Sequence, residues 1–595
     1  MSMNRRHFLQ AVSSSVVAAS AARPLRLRAA PSSAPPRFAM RGFEFCGSGL
    51  WQWKSIDRAL AVMEQLGFNT LILHQNDLPD YIVWPAAYFS ADFMYARNPV
   101  RTDLTCNGRN YVREVGRRAA RRNIRLVLED KELWYPDGLI ELHPELMEVK
   151  GIVCPTHPFW WEYLNTKYAE LVQQVPEIAG VMVSAASRES KVSFAVRNCP
   201  CDRCRATSAP DWYAHVAGSI HAPLAAGGRF LVMRDHAYQR SEQNAVVDAC
   251  SRVSPDIVVS LSNTPHDFYP TFPDNPRIGQ TNGNPQWVEF DAMGQFAGLG
   301  VFPASFLDDW SRRLDHAAAA GARGVWFRAD IEFVSDCSVF NSPNLLNIVG
   351  GARLAGGTVP AAGLDPLYAT WSSAGLCNPL QTESQQVPAA PLTDSERARL
   401  HAFMRASTAV LEKTVLVRGL VFTDGTGQFP ESVDIAFDNM LGLHQREEWE
   451  PGSSARVAPT EENLRAVRAE KQAAGQELAA AVAALQVADL AVPADTKQAW
   501  ITLLDFYGRY VTGMQLCAEC CFHARLAEHT RAARDAERGR EAAERLAAYR
   551  TELAERLAQA EGVPHYLRRM FDVSRLDRLG EDVRTRMAAV TVTIG

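Results

Sequence analysis

No strand-like run in this 595-residue chain is followed by a glycine-rich phosphate loop, so the nucleotide-binding sheets that depend on one lose their signature. Basic residues form no concentrated stripe after the N-terminus, and the formal net charge is −5. Nucleic acid is therefore not expected as a partner. Beyond residue 22 no apolar run approaches the ~20 residues that a membrane-crossing helix needs, so no membrane span is expected. No histidine-rich cluster accompanies the cysteines, which argues against a catalytic metal, and no cofactor is expected to be required.

The chain does have the ordinary composition of a globular protein, 47% apolar and 22% charged, at a length that allows two to four domains. Asn4-Arg5-Arg6-His7-Phe8-Leu9-Gln10 precedes a mild apolar run over 11–22, too short and too rich in Ser and Ala to span a bilayer. A twin-arginine pair, then Phe-Leu, then a weakly apolar stretch ending in small residues resemble a Tat export signal. Residues 1–36 are read as signal and leader, and the protein as periplasmic or secreted.

From residue 37 to 375 apolar β-like runs alternate with helical patterns. Strands are expected at 42–47, 70–74, 124–129, 181–185, 230–234, 257–261, 287–290 and 324–328. Helices are expected at 55–66, 111–122, 159–175, 211–225, 243–253, 307–320 and 344–354, with an aromatic-rich loop over 78–107. Alternation of this kind argues for parallel sheet, and eight units argue for a (β/α)8 TIM barrel rather than an open doubly wound sheet. After a linker at 376–392 the pattern becomes helical only. Residues 393–595 are read as an all-α C-terminal domain with helices at 391–416, 461–485, 496–527 and 531–560, the last charged enough to be solvated or to carry a homodimer contact.

Barrel chemistry is placed at the C-terminal ends of strands. Glu189 follows the run Gly180-Val181-Met182-Val183, Asp267 lies in a proline-rich loop after the sixth strand, and Glu289 ends the seventh. Carboxyl groups from three strand ends suit glycoside hydrolysis, in which one stays protonated for the leaving oxygen and another attacks or activates water. His74, Gln75, Asn76, Glu129, Asp130 and Lys131 end the second and third strands and could bind sugar hydroxyls, while Trp51, Trp53, Trp134 and Tyr135 could stack on a sugar or pack in loops, and Trp287 is expected to bind substrate. Arg328 and Asp330 end the last strand and could close the site, with Arg328 expected to bind substrate.

Several ordered fragments resemble the glycoside hydrolase family 67 α-glucuronidases. They are Pro265-His266-Asp267-Phe268 with Glu289-Phe290-Asp291 running on to Gln295, Phe296 and Gly298; His157 through Trp161 to Glu189; and Asn341-Ser342-Pro343-Asn344-Leu345 through Arg353. The resemblance implies an exo-acting, inverting hydrolase of terminal uronic acids on polysaccharide-derived oligosaccharides. Glu189 would be the general acid, with a pKa raised by burial. Asp267 and Glu289 would jointly activate the water, the acid and base groups standing roughly 6.5–9.5 Å apart. The family places a Lys four residues before its acid to hold the uronic carboxylate; here that residue is Ala185, leaving Arg188 and Arg234 as cations for the carboxylate. The barrel is expected to start soon after the leader, without the family's separate N-terminal β-rich domain. A retaining, hexosaminidase-like exo-glycosidase and a noncatalytic carbohydrate-binding barrel are the rival readings.

Three cysteines in six residues, Cys199, Cys201 and Cys204, follow Glu189. They are read as a structural staple, by disulfide or zinc, with His236 or Cys154 as the fourth zinc ligand. Cys517, Cys520 and Cys521 are expected to fill the packed face of a helix.

Overall fold

The computed structural model describes residues 35–595 except 148, 150, 333, 358–362, 374, 382–391, 424, 444–445, 561 and 595. The export expectation and most of the expected linker lie outside the described residues.

Eight parallel strands close into a barrel in sequence order: β1 (Met40–Phe45), β2 (Thr70–His74), β3 (Arg125–Lys131), β4 (Ile178–Ala185), β5 (Phe230–Asp235), β6 (Val258–Ser262), β7 (Gln286–Asp291) and β8 (Gly324–Arg328). Closure comes from β1 lying between β2 and β8, with Gly42 opposite both Thr70 and Trp326. The expected (β/α)8 architecture is the observed one, and it is followed by an all-α region.

The covering helices are α1 (Trp53–Leu66), α2 (Pro99–Ala120), α3 (Phe159–Gln174), α4 (Ala209–Ala226), α5 (Arg240–Val253), α6 (Leu307–Ala319) and α7 (Leu345–Gly356). α1 shows the local logic. Ile56, Ala59, Leu60, Met63 and Leu66 recur at helical spacing and are buried. The helix then stops at Gly67, whose φ of 78° is left-handed backbone that glycine adopts without a Cβ penalty. The aromatic loop expected over 78–107 is shorter than foreseen, because α2 begins at Pro99.

No helix joins β6 to β7. The irregular 263–285 segment is held instead by Asn275, which donates to Ser262 O and Thr264 O at 3.1 and 3.3 Å, and by Arg313, which donates to the carbonyls of Pro270, Phe272 and Pro273. This bracing presents Asp267.

The helical region contains α8 (Asp394–Val415), α9 (Glu461–Leu485), α10 (Ala494–Thr530), α11 (Ala533–Gln559) and α12 (Val573–Ile594). The barrel's Phe302 stacks on Tyr507 of α10 at 4.6 Å between ring centres and tilts against Tyr510 at 5.0 Å. Cys517, Cys520 and Cys521 are buried in α10, as expected. Among the described residues no helix is long and apolar enough to cross a membrane.

Candidate active site

Strand alternation decides what enters the barrel. One side chain from each strand closes its N-terminal end: Met40, Ile72, Val127, Met182, Val232, Val258, Trp287 and Trp326, all buried in one cluster. Two residues further along each strand, apart from β1, where the step is four, the same inward face carries Glu44, His74, Glu129, Ser184, Arg234, Ser260, Glu289 and Arg328. The barrel thus changes from an oily floor to a charged layer within one pleat.

Arg234 is the hub of that layer. Its Nη1 lies 2.7 Å from Glu129 Oε1 and 3.5 Å from Glu44 Oε1, and its Nε lies 2.8 Å from Glu289 Oε2. Its guanidinium also lies 4.8 Å from the centre of the Trp326 ring. Arg328 reaches Glu44 Oε2 at 3.1 Å through Nε and donates to Gln295 Oε1 at 2.8 Å through Nη1. His74 stands 3.2 Å from Glu44 and 3.5 Å from Glu129. Ser184 donates to Glu129, and Ser262 donates to Glu289 at 2.8 Å.

Three buried carboxyl groups here face two guanidinium groups, and the imbalance is relieved at Glu289. Burial pushes its carboxyl up to about 7, despite Arg234 and the Ser262 hydroxyl. Burial also opposes ionisation of Glu44, but Arg328 and Arg234 overcome it and hold Glu44 well below the usual carboxylate range.

Above this layer is a cavity of about 260 Å³ lined by Glu189, Arg234, Asp235, His236, Tyr238, Ser262, His266, Asp267, Phe268, Tyr269, Gln295, Phe296, Arg328 and Glu332, with Gly425 and Thr426 from the helical region closing one side. Glu189 and Asp267 therefore share one cavity with both arginines. The loops that carry the two acids are also locally strained: Ala186 and Asp267 have left-handed φ values of 59° and 47°. Non-glycine residues held this way cost roughly 1–3 kcal/mol and cluster at functional sites. His266 Nε2 lies 3.3 Å from Asp267 Oδ2, and burial with the Arg188 charge pushes His266 down to about 3, so a neutral ring meets that carboxyl.

The expected protonation of Glu189 is corrected. Burial raises its pKa, but Lys131 Nζ, 2.7 Å from Glu189 Oε2, more than cancels that and leaves the carboxyl below its usual value. Lys131 also accounts for Ala185. Ala185 packs outward among the barrel's helix-facing core, where a lysine would miss the lumen, whereas Lys131 stands opposite Ser184 on the neighbouring strand and reaches the acid directly.

Other expected contacts are elsewhere. Glu289, Glu129, His74 and Lys131 are buried beneath the cavity rather than in its lining. Trp287 belongs to the apolar floor and stacks edge-on with Phe230, so it is no sugar platform. Arg188 is spent on a bidentate pair with Glu242 at 2.7 and 2.8 Å, and lies over the Tyr238 ring. Gln75 accepts from Trp51 Nε1 and donates to Asp77, and Asn76 is likewise outside the lining. Trp53 packs on Arg118 and Tyr111. Asp130 is bound by Lys167 and Tyr168, and Asp330 accepts from the backbone of Cys46 and Gly47. Trp134 and Tyr135 line a separate depression with Trp84 and Lys191.

The sequence reading missed His236, Tyr238, Gln295 and Glu332 as lining residues, and had no signal for Gly425 and Thr426. His236 had a usable one, as it directly follows β5. It was considered instead as a cysteine-cluster ligand; Cys154 fills that position.

No protein-family model matches the chain, and no curated protein matches it. Most of the chain shares its fold with a solved enzyme. A GH138 enzyme targeting pectin rhamnogalacturonan II superposes with a TM-score of 0.61 at 11% identity, over 95% of this chain and 67% of that one. A mutant of the Thermobaculum terrenum O-GlcNAc hydrolase aligns over 94% of this chain and 96% of its own, with a TM-score of 0.41 and 11% identity. At 11% identity what is shared with the GH138 enzyme is the fold.

Proposed function

We propose that the protein is an exported, exo-acting glycoside hydrolase that removes a terminal uronic acid, or a related sugar, from polysaccharide-derived oligosaccharides by a single displacement of the α-glucuronidase kind. The observation that carries this reading is that Glu189 and Asp267 line one cavity together with Arg234 and Arg328. Its volume of about 260 Å³ falls below the roughly 300–1,000 Å³ of sites for drug-sized ligands, which suits one terminal sugar rather than a run of them. Arg234 and Arg328 in the lining favour a sugar bearing a carboxylate. The pectin target of the GH138 enzyme is consistent with a polysaccharide-derived substrate.

In this mechanism an arriving uronic carboxylate is met by Arg234 and Arg328 in the lining, and its negative charge, with the water it displaces, offsets the pull of Lys131 on Glu189. Glu189 then takes up a proton and serves as general acid. Asp267 removes a proton from water on the opposite face of the ring. The water oxygen bonds to the anomeric carbon as the glycosidic C–O bond breaks, and the Glu189 proton goes to the leaving oxygen. Glu289 does not touch the sugar; it holds Ser262 and Arg234, which do line the cavity.

The test is hydrolysis of aryl uronides, neutral aryl glycosides and natural oligosaccharides, with NMR of the anomer released first. Inverted product and a loss of roughly 10²–10⁴ in kcat for Glu189→Gln and Asp267→Asn are expected. Retained product would replace single displacement with the hexosaminidase-like route. Undiminished turnover by Glu189→Gln would remove it as the acid, and sugar binding without turnover would leave a carbohydrate-binding barrel.

A further inference from the structure

Four cysteine sulfurs meet beside the loop that carries Glu189. Cys154 comes from the segment leading into α3, and Cys199, Cys201 and Cys204 come from the far end of the 186–204 loop. All four sulfurs lie within 4.8 Å of one another, and three of the four residues are buried. Cys154 Sγ is 3.7 Å from Cys201 Sγ and 3.6 Å from Cys204 Sγ. A tetrahedron built on 2.3 Å zinc–sulfur bonds has edges of about 3.8 Å. A disulfide would draw one pair to about 2.0 Å and leave the others apart; here Cys154 is nearly equidistant from two partners, and none of the chain's cysteines is in a disulfide.

The surroundings suit thiolates. Cys204 N donates to Cys201 Sγ at 3.4 Å. The Thr156 hydroxyl lies 3.2 Å from Cys204 Sγ and 3.4 Å from Cys154 Sγ, and Arg203 Nη2 is 3.9 Å from Cys154 Sγ. A backbone amide, a hydroxyl and a guanidinium thus face the sulfur cluster, as expected around a metal-bound thiolate set. Ile152 packs against it on the apolar side.

We propose that Cys154, Cys199, Cys201 and Cys204 bind one zinc ion as a closed tetrathiolate that ties the Glu189 loop to the segment entering α3. Four thiols give up four protons, no coordination position stays open for substrate, and the ion is structural. Trp160 Nε1 donates to Cys154 O and Trp212 Nε1 to Pro155 O, both at 2.8 Å, so the tie reaches α3 and α4 and fixes the loop at its C-terminal end.

The experiment begins with the full chain purified without added metal. Elemental analysis is expected to find one zinc per chain, released by four equivalents of an organomercurial. Cys201→Ser should abolish it and Cys106→Ser should not. Thr156→Val, which leaves every ligand in place, should weaken zinc binding roughly tenfold. Hydrogen exchange over 186–206 should quicken once zinc is removed, while the barrel strands stay protected. Bound iron instead of zinc, a metal-free mass lower by the hydrogens lost to disulfides, or a zinc content indifferent to Cys201→Ser would each overturn the site. Unchanged exchange in the loop would overturn its anchoring role.

Discussion

Lys131 decides what Glu189 is. A fully buried ammonium 2.7 Å from a partly buried carboxylate holds that acid ionised, with His74 and Arg328 adding smaller pulls in the same direction. Replacing Lys131 with Met leaves burial opposed only by the smaller pulls of His74 and Arg328, so the Glu189 pKa should rise. The stability contribution moves with it. In the wild type the depressed pKa stabilises the fold above about 4.5 and that gain is lost as pH falls through the folded value; in Lys131→Met that gain shrinks. Carbon NMR titration of the carboxyl, assigned by its disappearance in Glu189→Gln, reads the shift directly, and an unmoved midpoint would sink the assignment. The lysine's part was hard to read from sequence because it works across strands: the position that looked empty, Ala185, faces the helices, and the cation comes from β3. Trp287 was misplaced for a simpler reason. It stands two residues before Glu289 on the same face of β7, which puts it one layer deeper, in the floor.

At the scale of the element, the turn after β4 is built around Ala186 with its left-handed φ of 59°, and its amide donates to Glu132 Oε2 at 2.6 Å. Burial pushes Glu132 up to about 8, against the hydrogen bonds from Ser193 and Ala186, so a neutral carboxylic acid supports the loop that presents Glu189. A carboxyl whose folded pKa is raised costs stability progressively as pH climbs from about 4.5 to about 8. Glu132→Gln keeps the acceptor and cannot ionise. It should match the wild type to within about 1 kcal/mol near pH 5, since an uncharged hydrogen-bonding isostere changes little, and melt higher than the wild type near pH 8. Equal slopes of melting temperature against pH in the two proteins would refute the neutral acid. Elements with regular apolar spacing were legible: 70–74 and 324–328 are strands and 461–485 is a helix with the expected ends. The first half of α2 was not, because its buried face there is Thr102, Thr105 and Gly108, with Gly108 close against Tyr81. Small and polar residues that pack a helix against an aromatic leave no hydrophobic periodicity to read.

At the scale of the whole molecule, the helical region completes the cavity as well as covering the barrel. Gly425 and Thr426 reach the cavity wall from outside the barrel, an arrangement no local pattern announces. What seats them is a close backbone approach at Gly427. Its φ is 63°, a Cβ there would lie 3.2 Å from Leu299 N and 3.3 Å from Gly298 C, and Tyr510 of α10 donates to its carbonyl. Tyr510 also packs on Phe302, so one residue of α10 grips both the barrel and the segment that finishes the cavity. Gly427→Ala adds a left-handed penalty of about 1–2 kcal/mol and pushes the segment off the 298–299 turn. Thermal unfolding should show that loss. If the displaced Thr426 wall serves the sugar and not the chemistry, KM should rise while kcat on a substrate identified by the hydrolysis screen stays within a few-fold. A variant that lost kcat with KM unchanged would instead mean that the helical region holds the catalytic groups themselves in register.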